Sequence, residues 1–156
     1  MKPNHRTLVK VDIAVQNAAS FSPIPSRQQF ERWVNAALHK RGNAELLIRI
    51  VDRQESRQLN AQYRHKNKAT NVLSFPADLP EEVRMPLLGD IIICAPIVVE
   101  EARDQHKTAE AHWAHLTIHG ILHLLGHDHQ LEEEASAMES LEIRILQSLG
   151  FPDPYS

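Results

Sequence analysis

The sequence predicts an α+β domain: a mixed four-stranded sheet packed with about five helices and carrying a metal cleft. Three observations point there. Short runs with an apolar residue at every second position interleave with runs of helical period. Their order reads β-α-β-α-β-β-α-α-α, with the helices gathered at the end, as in α+β rather than doubly wound chains. Seven of the ten histidines fall between His106 and His129, a concentration that signals local chemistry. The 156 residues, 42% hydrophobic and 24% charged, show no repeat, low-complexity segment or dividing linker, so residues 1–156 are read as one domain with one core.

Thr7 to Gln16 places Val9, Val11, Ile13 and Val15 on one side and Lys10 and Asp12 on the other, a half-buried strand. Ser26 is a candidate N-cap for a helix whose Phe30, Trp33, Val34, Ala37 and Leu38 form one stripe. Lys40 and Arg41 suit its C-terminal dipole, and Gly42 is placed as its C′ residue. Glu45 to Val51 reads as a second strand. Asp52 with Glu55 resembles a capping box that opens a short helix through Leu59 and Tyr63. Asn71 to Phe75 is a third strand, and Pro76 ends its pairing unless it lies at an edge. Residues 76–88 contain three prolines and are expected to be irregular. Asp90 to Cys94 is a fourth strand. Pro96 fits the first turn of a helix to about Gln105. Thr108 caps the next helix, which runs to about Leu125. The last covers about Leu131 to Leu149, with Met138, Leu141, Ile145 and Leu149 on one face and Gly150 as its stop. Its Glu132, Glu133 and Glu134 are read as a solvated first turn.

No apolar run approaches the ~18 residues needed to cross a bilayer, and no signal-type segment follows the N-terminal Met1 to Arg6. The lone Cys94 rules out an internal disulfide, so a cytoplasmic protein is expected. A net charge of −3 provides no global positive field for nucleic acid. Any such partner must be met by a local patch.

The stretch His119 to His129 carries the sharpest signal. On a helix, His119 and His123 sit about 40° apart around the axis and roughly 6 Å apart along it, so both rings leave one face. Gly126 can end the helix in a left-handed turn that returns His129 to the same ion. The resulting His119-x3-His123-x5-His129 gives three neutral nitrogen donors with a fourth position open, the pattern of a catalytic rather than a structural zinc site. The spacing resembles the metzincin motif, but Gly120 stands where those peptidases carry their general-base glutamate, which argues against proteolysis. His112 and His115 share the stripe of His119 and are read as polar residues lining the cleft. His127 points elsewhere if Gly126 turns the chain.

A second stretch lies between helix and strand. Arg53, Arg57, Arg64, Lys66 and Lys68 against Glu55 give the segment from Arg53 to Lys68 a charge of +4 inside an acidic protein. Followed by Asn71 and Ser74, it is either a phosphate- and base-contacting loop or a solvated loop whose charges aid solubility.

Taken together, Asn60 to Arg64, the run Thr70-Asn71-Val72-Leu73-Ser74-Phe75-Pro76, Leu88-Gly89-Asp90-Ile91, and Ala111 to His115 leading into the histidine motif resemble the YbeY family of bacterial metal-dependent endoribonucleases. The resemblance implies an α+β fold with one zinc ion per chain, held by His119, His123 and His129. It implies cleavage of single-stranded RNA, maturation of the 3′ end of small-subunit ribosomal RNA, and ribosome quality control. Small-subunit ribosomal proteins and a ribosome-associated GTPase are the partners it implies. Arg64, His119, His123 and His129 are thus the expected catalytic residues, with Arg64, Lys66, Lys68, Asn71 and Ser74 on the RNA. In this reading the ion lowers the pKa of a bound water toward ~7, and the planar Arg64 guanidinium takes the scissile phosphate. Asp128 is either a proton carrier or a carboxylate orienting a ligand histidine. Two alternatives stay open: another metallohydrolase, including a degenerate peptidase, and a non-catalytic ribosome-binding factor that zinc merely stabilises.

Overall fold

Alternation along the strands assigns each face of the sheet to its own helices. The computed structural model describes residues 11–39, 43–80, 82, 86–127 and 131–156. Among these the elements are β1 (Val11–Asn17), α1 (Arg27–Leu38), β2 (Ala44–Val51), α2 (Arg53–Arg64), β3 (Val72–Pro76), β4 (Leu87–Cys94), α3 (Ala95–Asp104), α4 (Ala109–Leu124) and α5 (Glu132–Ser148). This is the expected order, and the sheet is mixed and four-stranded. It runs β1-β2-β4-β3, with β1, β2 and β4 parallel and β3 antiparallel to β4 at the edge. Thr7 to Lys10 lie outside the described residues.

Ile48 and Ile50 of β2 and Ile91 and Ile93 of β4 point into the larger core, where α1, α4 and α5 pack. Val51, Leu73, Ile92 and Cys94 face the other way, against Ile97 of α3 and Leu59 of α2. Burial pushes the Cys94 thiol pKa up, which keeps the sulfur protonated and inert. Helix α4 lies at the centre. Eleven of its 16 residues are buried, so it is apolar nearly all round rather than amphipathic.

The local chemistry accounts for most boundaries. Ser26 and Gln29 form a reciprocal capping box on α1, and Thr108 accepts from the Ala111 amide at the start of α4. Asp52 caps α2 through the Glu55 amide, but the expected box is not completed, because the Glu55 carboxylate is drawn off by the Arg49 guanidinium at 2.6 and 3.0 Å. Helix α1 ends sooner than expected: His39 adopts the left-handed conformation (φ 45°) as its C-cap, so the stop does not wait for Gly42, which lies outside the described residues with Lys40 and Arg41. Strand β4 starts at Leu87, earlier than Asp90, because Gly89 allows close pairing with Pro76. A Cβ there would come within 2.2 Å of the Phe75 carbonyl oxygen.

Candidate functional site

The site forms where the free edge of β3 is flanked by α4 on one face of the sheet and by the end of α2 on the other. A cleft of about 850 Å³ opens there, and its wall includes Arg64, Lys66, Lys68, Asn71, His119 and His123. No carboxylate lies among the described lining residues. In a chain of net charge −3, the segregation of cations here creates the local positive patch that the overall charge lacks.

On α4 the four-residue spacing does what helix geometry requires. The Nε2 atoms of His119 and His123 lie 3.1 Å apart at the cleft wall, close to the ~3.3 Å expected of two nitrogens on one tetrahedral zinc ion. The other ring nitrogen of His119, Nδ1, meets Oε2 of Glu142 on α5, a carboxylate with no exposed surface. Glu142 Oε1 takes the Tyr155 hydroxyl and lies 3.3 Å from Nε2 of His115. Burial alone would raise the Glu142 carboxyl, but these donors overcome it and hold the pKa at about 2. Burial, and then the adjoining carboxylate, push the Tyr155 phenol up. A charged Glu142 accepting from His119 Nδ1–H leaves the Nε2 lone pair facing the cleft, the tautomer a metal ligand needs.

His115, His119 and Glu142 also place candidate donor atoms within 4.8 Å of one another, so the described residues include a group that could hold a metal ion. The donor chemistry distinguishes two sides of the His119 ring. On the Glu142 side, an ion would displace three hydrogen bonds in a dry pocket. On the His123 side, the Nε2 atoms of His119 and His123 lie together at the wall of the cleft, beside its cations. His119 thus belongs both to the His115–His119–Glu142 group that could hold a divalent ion and to the cleft wall it shares with His123.

The turn after α4 follows the expected route. Gly126 takes φ +99°, with its N–H on the His123 carbonyl and the His127 N–H on the Leu122 carbonyl, a Schellman closure. His129 and Asp128, the expected third ligand and its acidic neighbour, lie outside the described residues. His127, expected to point elsewhere once Gly126 turns the chain, is exposed and is among the residues of the cleft wall. His112 and His115 are likewise not cleft residues. Both lie on buried faces of α4, where His112 Nε2 lies 2.8 Å from Glu101. Burial lowers the His112 pKa, and the Glu101 contact offsets this only in part.

The basic loop is clamped from below. The buried Asn60 amide donates to the Lys68 carbonyl at 2.8 Å, and the Ser56 hydroxyl both donates to the Thr70 carbonyl and accepts from the Thr70 amide. Arg64 reaches along the β3 edge, donating from Nη2 to the Ser74 carbonyl at 2.8 Å, with its guanidinium carbon 5.7 Å from the centre of the Phe75 ring. Asn71 spends its amide on Glu101 and its own side-chain oxygen on the Val72 amide. Ser74 is buried, and its hydroxyl donates to the Gly120 carbonyl at 3.2 Å. What these two residues offer the cleft is therefore mostly backbone.

The Endoribonuclease YbeY family model matches residues 14–150. This chain belongs to that family. The YbeY assignment agrees with the fold: the chain is similar to the solution structure of TM1509 from Thermotoga maritima, at 26% identity and a TM-score of 0.57, with 88% of this chain and 91% of that one covered. Membership brings endoribonuclease activity with it, and His119, His123 and Arg64, the residues singled out in the sequence, line one cleft.

Sequence reasoning missed Glu142. It falls four residues after Met138 and three before Ile145, both buried, so it interrupts an apolar stripe with a charge. A carboxylate in that register has to be paired, and that is the signal that was available. The three glutamates of the first turn, Glu132 to Glu134, are exposed as expected.

Proposed function

We propose that this chain is a zinc-dependent endoribonuclease that cuts single-stranded RNA, acting at the 3′ end of small-subunit ribosomal RNA and in ribosome quality control. The observation that carries the proposal is the pairing of two kinds of wall in one cleft. On one side His119 and His123 turn their Nε2 atoms outward, with His119 braced by a buried anion. On the other stand Arg64, Lys66 and Lys68, clamped in place by Ser56 and Asn60. A phosphodiester bridging those walls meets cations on one side and metal-ligand edges on the other.

His119, His123 and, from the motif, His129 would hold the ion. When bound, it supplies Lewis acidity to the reacting phosphoryl group and its attacking oxygen. The chain's own residues do the rest. Arg64 is preorganised: one of its five N–H groups is fixed on the Ser74 carbonyl, which orients the others toward phosphate oxygens as negative charge gathers there. Lys66 and Lys68 hold the adjoining backbone as less directional charges. Glu142 and Tyr155 hold His119 in register. Gly120 supplies no proton carrier, and it packs closely: a Cβ would lie 3.1 Å from both Ile91 Cγ2 and Ser74 Oγ, so any side chain there requires those two to give way by a few tenths of an ångström. None of the described helices is long and apolar enough to cross a membrane. We place the protein in the cytoplasm, with small-subunit ribosomal proteins and a ribosome-associated GTPase as its partners.

The test uses purified protein, elemental analysis and a labelled single-stranded RNA. His119→Ala is expected to lose both zinc and cleavage, whereas Arg64→Glu keeps zinc and fold and loses cleavage. Full cleavage by either variant overturns the proposal.

A further inference from the structure

The β3 edge separates the histidines from a feature on the opposite face of the sheet. Tyr63, next to last in α2, is 55% exposed, and its hydroxyl makes no hydrogen bond among the described residues. Its ring meets Phe75 of β3 with centroids 5.2 Å apart and planes at 64°. The guanidinium of Arg64 lies over the same Phe75 ring. Tyr63 therefore stands on a rigid helix, braced edge-on by an anchored aromatic, and still leaves much of its ring to solvent.

We propose that Tyr63, supported by Phe75, is a stacking platform for an unpaired nucleobase of the RNA strand where it passes over the β3 edge. This inference rests on the endoribonuclease reading of the cleft. Phe75 is the link between base and phosphate sites: its ring meets both the Tyr63 ring and the Arg64 guanidinium. A phosphate at Arg64 and a base on Tyr63 then belong to the same or a neighbouring nucleotide.

Two further features favour a nucleotide there. The segment from Arg53 to Lys68 carries +4, and its one acid, Glu55, is already neutralised by Arg49 from outside it. Arg53 is likewise taken by Glu100 at 2.9 Å, which leaves Arg57, Arg64, Lys66 and Lys68 as the segment's cations, complementary to a polyanion. Because β3 is an edge strand of only five residues, a chain can cross from the α4 face to the α2 face without meeting another strand. Stacking on tyrosine is available to every base, so the platform tolerates sequence. It rejects paired RNA, because a duplex keeps its base faces inside the helix. The strand selectivity assigned to the cleft then has a physical source outside the histidine cluster.

The test is binding of a fluorescent single-stranded oligoribonucleotide to the full chain, with the same oligonucleotide carrying one abasic site at successive positions. Tyr63→Ala is expected to weaken binding roughly 5- to 150-fold, with Tyr63→Phe retaining it. One abasic position should weaken binding to the parent and have no further effect in Tyr63→Ala. If Tyr63→Ala does not fold, the abasic scan repeated on Tyr63→Ser, and fluorescence quenching of Tyr63→Trp by bound RNA, decide instead. RNA cleaved by the parent and bound within twofold by the alanine variant, with no abasic position coupled to residue 63, overturns the platform alone. A parent chain that neither binds nor cleaves RNA overturns the endoribonuclease reading as well.

Discussion

Replacing Glu142 by glutamine keeps the shape of the side chain and removes its charge, which isolates what the buried anion does. The carboxylate accepts from His119, the Tyr155 hydroxyl and His115. An amide has one accepting oxygen and one NH2 group, so at least one of those donors must face another donor. If it is His119, the ring has to move its proton to Nε2 and the lone pair that faces the cleft is lost. The size follows two ways. Losing a hydrogen bond to a charged group costs about 1.5–3 kcal/mol. A carboxyl held at about 2 instead of 4.5 is favoured as the anion by about 3 kcal/mol. Glu142→Gln should therefore weaken zinc binding roughly 10- to 100-fold and lower unfolding free energy by about 2–3 kcal/mol. Competition with a chromophoric chelator and urea denaturation read the two effects separately. The stability difference is whole above about pH 4.5 and shrinks as pH falls toward 2, because the folded carboxyl is the one held low. Zinc affinity within twofold of the parent, with an unchanged urea midpoint, would refute the assignment of Glu142 as the orienting group.

Other outcomes follow from the same structure. Gly120→Glu, which restores the peptidase motif, should destabilise the chain by more than about 3 kcal/mol, through overpacking against Ile91 and Ser74 and burial of an unpaired charge. A melting temperature within about 2 °C of the parent would contradict it. His112 is held neutral by burial, so the unfolded chain binds the proton more readily. The urea midpoint should drop as pH falls below about 6.5. His112→Gln should flatten part of that slope, and equal slopes would remove His112 as its source. Cys94 should resist an aromatic disulfide reagent in the native chain and react at once in urea, since the thiol is fully buried and its pKa raised. Rapid native labelling would contradict that burial.

What the sequence could disclose depended on the range of the interaction. The caps Ser26 and Thr108, the stripe from Phe30 to Leu38 and the turn at Gly126 are decided within a few residues, and each is found where periodicity and capping chemistry put it. The meeting of His119 with His123 is local in the same sense. Errors arise where a distant partner takes over. Glu55 left its capping box for Arg49 on the neighbouring strand, His112 was drawn inside by Glu101 eleven residues upstream, and Ser74 gave its hydroxyl to a helix 46 residues away. Glu142 combines both cases: its register was readable, but its three partners come from α4 and the C-terminal segment. The early end of α1 at His39 had no strong local marker, since histidine tolerates a left-handed φ only moderately well.

Helix α4 is enclosed by α1, α3, α5 and both β3 and β4. Its amide protons from Ile118 to Leu122 should therefore exchange with solvent only through the rarest, whole-molecule opening events. His119 and His123 ride on that helix, so whatever enters the cleft meets their rings on a support that local fraying does not disturb.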